Sequence, residues 1–146
     1  MAVKKVLVLD DDGNIEELQS GDTLQDSSPD LGTFTAGENL VLGDWVYVSA
    51  ANTVSKAQAD DEATMPCIGV AIETINNTES GTIRLDGVMT GLSSLTAGDV
   101  YYVDHSSAGA IVSTTPSSSG HVIQRVGTAI STTELQIDFG ALIKRS

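Results

Sequence analysis

Short runs of β-branched and aromatic residues, each bounded by turn-forming residues, recur along this chain. The clearest is Val100-Tyr101-Tyr102-Val103, entered through Ala97-Gly98-Asp99. Glycine accepts backbone conformations that other residues resist, and aspartate hydrogen-bonds its own backbone locally, so the Gly-Asp pair marks a turn. The run after it favours a strand, with Tyr101 and Val103 on one face and Val100 and Tyr102 on the other.

The same grammar occurs earlier, in Leu42-Gly43-Asp44-Trp45-Val46-Tyr47-Val48. Downstream, Ile68-Gly69-Val70-Ala71 echoes Val126-Gly127-Thr128-Ala129, and the stretch from Thr82 to Gly87 echoes that from Leu135 to Gly140 more loosely. Three motifs repeated in one order imply an internal duplication, over about 36–87 and 97–140, of units too small to close a core alone. Gly43 should then be equivalent to Gly98, and Gly69 to Gly127. The predicted fold is all-β: a small antiparallel β-barrel or sandwich built from two similar halves, preceded by an N-terminal hairpin arm.

That arm comprises residues 1–32, and the β-barrel domain 33–146. Val3, Lys4, Lys5, Val6, Leu7, Val8 and Leu9 form a Val/Leu-rich strand ending at Asp10-Asp11-Asp12-Gly13-Asn14, where Asp12-Gly13 signals a tight turn. Residues 15–18 can return as a second strand, and the polar stretch 25–32, with Pro29, is a linker. Within the first half, 54–57 is a short strand and 58–64 one helical turn favoured by Asp60, Asp61 and Glu62. In the second half the short strand is 110–113, and Ser117-Ser118-Ser119-Gly120 is a loop. Residues 87–92 join the halves.

Composition narrows the function. A net charge of −13, from 20 acidic and 7 basic residues, lacks the basic stripe of a nucleic-acid-binding face. No run is long enough to cross a membrane and no secretory leader is recognisable, so the Asn76-Asn77-Thr78 glycosylation pattern carries little weight. Cys67 is the single cysteine, which excludes an internal disulfide; beside Pro66 and before an apolar strand it is a small core residue. The acidic cluster from Asp10 to Glu17 does not match a calcium loop: counted from Asp10, glycine comes too early and Gly21 stands where a bidentate glutamate should. His105 and His121 lie in predicted turns and are expected to face solvent. With Ser106, Ser107 and Asp99 or Asp104 they resemble a nucleophilic triad only in residue type, and no nucleophile elbow is present. Trp45, Tyr47, Tyr101 and Tyr102 are candidates for core or subunit-interface aromatics, ahead of sugar stacking. The expectation is a non-enzyme without cofactor or metal.

The succession Ala36-Gly37, Leu42-Gly43-Asp44-Trp45-Val46-Tyr47-Val48, Ile68-Gly69-Val70-Ala71, Gly87-Val88, Ala97-Gly98-Asp99-Val100-Tyr101-Tyr102-Val103 and Val126-Gly127-Thr128-Ala129 resembles the capsid decoration, or cement, proteins of tailed bacteriophages with a small β-barrel. The opening from Asn14 to Leu24 also resembles the start of phage fibre and other virion proteins. The likeness implies a virion structural protein on the outer surface of the capsid, bound to the major capsid protein, associating as a homotrimer and bracing the shell without catalysis. The strand of residues 3–9 is then the expected capsid or subunit contact. The alternative is a phage fibre or knob module that binds a host receptor or glycan.

Overall fold

A computed structural model describes residues 7–9, 15–17 and 30–146. The fold is all-β. Strands β1 (Leu7–Leu9) and β2 (Ile15–Glu17) pair antiparallel, with Val8 opposite Glu16, as the N-terminal hairpin. Then follow β3 (Leu31–Ala36), β4 (Trp45–Ala50), β5 (Thr53–Lys56), β6 (Cys67–Ala71) and β7 (Ser80–Arg84), which close a barrel in the order β3-β5-β4-β6-β7. All its neighbours are antiparallel except β3 and β5, whose short parallel pairing, Thr35 with Thr53 and Ala36 with Val54, seals it. Ala36, Leu40, Val46, Val54, Ala71, Ile75 and Ile83 fill the interior.

The second half has β8 (Val88–Met89), β9 (Val100–Val103), β10 (Ile111–Val112), β12 (Arg125–Ala129) and β13 (Leu135–Ile137) in a sheet ordered β10-β9-β12-β13-β8. That order repeats the first half strand for strand, and so does the register. Val46 faces Gly69 and Tyr101 faces Gly127; after a bulge in each, Tyr47 faces Cys67 and Tyr102 faces Arg125. The turns match too. Gly43 and Gly98 both have positive φ, +95° and +90°. Gly43 N–H donates to Ala71 O at 2.9 Å, and Gly98 N–H to Ala129 O at 2.8 Å. Gly69 and Gly127 share one cause: a Cβ there would strike the neighbouring strand's backbone carbonyl, that of Arg84 or of Gln136. The two halves therefore share strand order and register, with Gly43 placed as Gly98 and Gly69 as Gly127.

Two details of the sequence-based repeat need correction. Val70 faces Arg84 and Thr128 faces Gln136, so Ile83 corresponds to Leu135, one residue off the alignment that set Thr82 against Leu135. Side chains alternate across a strand, so that one-residue slip would have turned every residue to the wrong face. Each copy also begins earlier than expected. β3 starts at Leu31, inside the predicted linker, and β8, inside the predicted joining segment, is its counterpart, since Leu31 faces Arg84 where Val88 faces Gln136.

The second copy does not close. Nine positions separate Leu31 from Leu40, but only seven separate Val88 from the equivalent Leu95. The deficit matches the two closing residues, Thr35 and Ala36. β8 has two residues against six in β3, and among the described residues β8 and β10 remain the edges of an open sheet. The open copy completes its core against its neighbour. Tyr101, Val103, Val122, Val126, Leu135 and Ile137 share one apolar cluster with Trp45, Met65, Cys67 and Val70 from the outside of the first barrel. Ala57 and Ala59, both fully buried, thread between the copies: Gly109 N–H donates to Ala57 O and Ala59 N–H to Asp104 O, at 2.8 and 2.9 Å. Alanine leaves room for that close backbone approach. The predicted helical turn is a 3-10 turn, Glu62–Thr64, capped by Asp61 accepting from Ala63 N–H. A last pair, β11 (Val122–Ile123) with β14 (Ile143–Lys144), ties down the C-terminal segment.

Candidate functional site

Of the strand expected to make capsid or subunit contacts, Val3, Lys4, Lys5 and Val6 lie outside the described residues. Leu7, Val8 and Leu9 form β1, which pairs with β2 on one side. A two-stranded hairpin leaves each strand one unpaired edge, the feature through which extended segments add to a sheet.

The four aromatic candidates divide. Trp45 is 1% exposed and Tyr101 6%, and both sit in the cluster joining the copies. Trp45 meets Phe139 edge-on, with ring centroids 6.2 Å apart at 81°. The Tyr101 hydroxyl accepts from Thr96 N–H at 2.9 Å. These two are core residues within one chain, not aromatics presented to a neighbouring subunit or a sugar, because the open sheet needs bulk to seat it on the first barrel. Tyr47 and Tyr102 occupy equivalent strand positions and are half-buried, so part of each ring remains accessible.

The histidines also differ from expectation. The turns before β10 and β11 bring His105 and His121 together, with ring centroids 4.7 Å apart and the planes tilted by 37°. Each Nδ1 is shielded from solvent and has no hydrogen-bond partner among the described residues. The half-buried rings face each other because neighbouring backbone is held on both sides: Gln58 Nε2 donates to His105 O, and His121 N–H to Ser118 O. The triad geometry is not assembled. Ser106 Oγ donates to Asp104 Oδ1 at 2.8 Å, so the hydroxyl is engaged by the carboxylate and not by an imidazole. No group of three or more His, Cys, Asp or Glu side chains converges to hold a metal among the described residues. No helix among them is long and apolar enough to cross a membrane.

Cys67 is buried, and its Sγ donates weakly to Gly69 O. Desolvation pushes its pKa up to about 12, leaving an inert thiol. Its backbone carries a feature that residue types did not announce. Gln124, 4% exposed, reaches across from the second copy; its Oε1 accepts from Cys67 N–H at 2.8 Å, and its Nε2 donates to Cys67 O at 3.0 Å. One amide side chain thus imitates a strand neighbour between the copies. A lone buried Gln has no sequence signature for this, although its place opposite Pro66 in the repeat marks where the copies diverge.

A cavity of about 340 Å³ opens at the junction, lined by Leu42 and Trp45 of the first copy and by Leu92, Leu95, Tyr101 and Ile111 of the second. Leu42 packs over Gly91, and Leu92 over Gly43, on its rim. Ser94, also on the rim, holds φ +61°, a strained backbone for a residue with a side chain. No protein-family model and no curated protein matches this chain.

Proposed function

We propose that this chain is a virion structural protein, a decoration protein that binds the outer surface of a phage capsid and stabilises it as a homo-oligomer, with the trimer as the expected state. Three things support the reading. The Gly-Asp, Val/Tyr and Gly-Val-Ala grammar resembles that of small β-barrel decoration proteins. The described body gathers its polar groups into structural bonds, such as Gln124 to Cys67 and Ser106 to Asp104, and not into a cleft of convergent acid, base and nucleophile. The observation that carries most weight is the supply of strand edges: a doubled β body with one copy left open, and a strand-bearing arm ahead of it. Strand edges associate through main-chain hydrogen bonds and buried area, which suits a brace between subunits.

The test compares particles assembled with and without this protein by electron cryomicroscopy. Added density at regular capsid positions, together with greater resistance to osmotic shock, is the expected result. Density on tail fibres instead would favour the receptor-binding alternative. Deleting residues 1–24 should leave a folded β body that no longer occupies the shell; unchanged occupancy would assign the attachment to the body's loops.

A further inference from the structure

The internal duplication supplies its own comparison. In the first copy the seam between β3 and β5 is sealed by backbone bonds: Thr35 N–H donates to Asn52 O, and Gly37 N–H to Val54 O, each at 2.8 Å. The equivalents of Gly37 and Val54 in the second copy are Leu92 and Ile111. They flank the 340 Å³ cavity instead of bonding each other. The cavity is therefore the unsealed seam of the second barrel, opened by the two residues missing between Val88 and Leu95. Strand β10 is an edge there. Asp104 N–H takes Ala110 O, and Val103 bonds away from β10, to Gln124 O. In the alternating antiparallel pattern the backbone groups of Ile111, opposite Val103, then point outward into the seam.

We propose that this seam receives an extended strand from a second copy of the chain, the N-terminal segment of residues 3–9. The first copy shows what closes such a seam: a short extended segment laid along the edge strand, with a small apolar side chain, Ala36, turned inward. The segment Val3-Lys4-Lys5-Val6-Leu7-Val8-Leu9 has the required strand-forming, apolar character. Among the described residues, β1 pairs with β2 and not with β10, which leaves the outer edge of β1 for a neighbour. Charge favours the same match. Residues 3–9 carry Lys4 and Lys5 and no acid, although residues 10–26 of the arm carry seven, while residues 30–146 hold thirteen acidic and five basic side chains. Leu42, Leu92 and Ile111 line the cavity and offer apolar surface that an inserted strand would cover. This inference rests on the homo-oligomer in the proposed function and not on the capsid.

The test uses two full-length populations with different affinity tags, one carrying Val6→Cys and the other Ser113→Cys, mixed under mild oxidation. Cys67 does not compete, being buried. A disulfide-linked dimer bearing both tags is the expected product. Adding Ile111→Pro to the acceptor removes the outward N–H while sparing the bonds to β9, and should lower the yield by about tenfold through that lost bond and the proline ring at the edge. Ile111→Thr keeps the N–H and should restore the yield, which separates edge pairing from misfolding. Absence of the mixed dimer, a cross-link that forms only within a chain bearing both cysteines, or a yield indifferent to Ile111→Pro would each overturn the proposal. Particle binding of the same proteins is scored separately. Decorated particles without a mixed dimer would overturn the seam and keep the virion reading, and the reverse pattern would do the opposite.

Discussion

Replacing Gln124 with leucine should cost about 2–4 kcal/mol of stability. Leucine is close in size, so the change removes hydrogen bonding without opening a large void. What it strands is the backbone of Cys67, whose N–H and C=O are buried and have Gln124 as their partner. A buried polar group left unsatisfied costs about 1–3 kcal/mol, and there are two, offset in part by leucine's easier desolvation. A domain of this size has only about 5–15 kcal/mol in total, so the loss is a large fraction. With a urea slope of about 1–3 kcal/mol/M, the unfolding midpoint should fall by on the order of 1–2 M at unchanged slope. Gln124→Glu sharpens the test. Its carboxylate can still accept from Cys67 N–H, but it sets a second oxygen against Cys67 O. Burial and that repulsion raise the folded-state pKa of the new carboxyl above its unfolded value of about 4.3. The neutral acid, which can donate to the carbonyl, is therefore tolerated at low pH, and stability declines as pH rises through the folded-state pKa. A loss below about 0.5 kcal/mol for Gln124→Leu, or a Gln124→Glu protein no less stable at pH 7 than at pH 4 relative to wild type, would refute the reasoning.

Gly69→Ala and Gly127→Ala should each destabilise by about 1–3 kcal/mol, since the added Cβ meets a backbone carbonyl of the adjacent strand and not a yielding side-chain tip; thermal melts will show whether both positions are intolerant, and tolerance at either would break their energetic equivalence. Cys67 should resist thiol reagents at pH 8 until the protein unfolds. Because its folded-state pKa is raised from 9.0 to about 12, its contribution to stability is complete below pH 9 and is lost as pH rises toward 12. Denaturation of wild type beside Cys67→Ala should show the steeper alkaline decline in wild type, and parallel curves would contradict the assignment.

Much of the fold was legible because the turn chemistry is local. A Gly-Asp pair followed by a Val/Tyr run reports its own backbone, and both Gly69 and Gly127 stand where only a missing Cβ fits. The alternation over Val100, Tyr101, Tyr102 and Val103 matches the observed burial, with Tyr101 and Val103 inside. What escaped is non-local or lacks signature residues. Strands β3 and β8 are equivalent by pairing alone, since Leu-Gly-Thr-Phe-Thr-Ala and Val-Met share no motif. The third repeated motif slipped by one because the strongest letters near it, Gly87 and Gly140, lie beyond the strands and set a false frame. The His105–His121 contact depends on two turns of the second copy meeting in space, and neither turn announces the other. Trp45 and Tyr101 are legible as strand aromatics, but their side of the sheet is decided by the docking of one copy on the other, which no window along the chain contains.

The position of Trp45 turns the molecule into its own reporter. It is the sole tryptophan, it is 1% exposed, and its edge contact is with Phe139 of the other copy. Its fluorescence therefore senses the seating of the two copies on each other more than the integrity of either alone. Circular dichroism records strand content throughout, so the two signals followed during one denaturation separate undocking from melting. Coincident curves would mean that the closed copy and the open one live and die as a single cooperative unit. An early red shift with strands intact would mean that the closed barrel outlasts its partner.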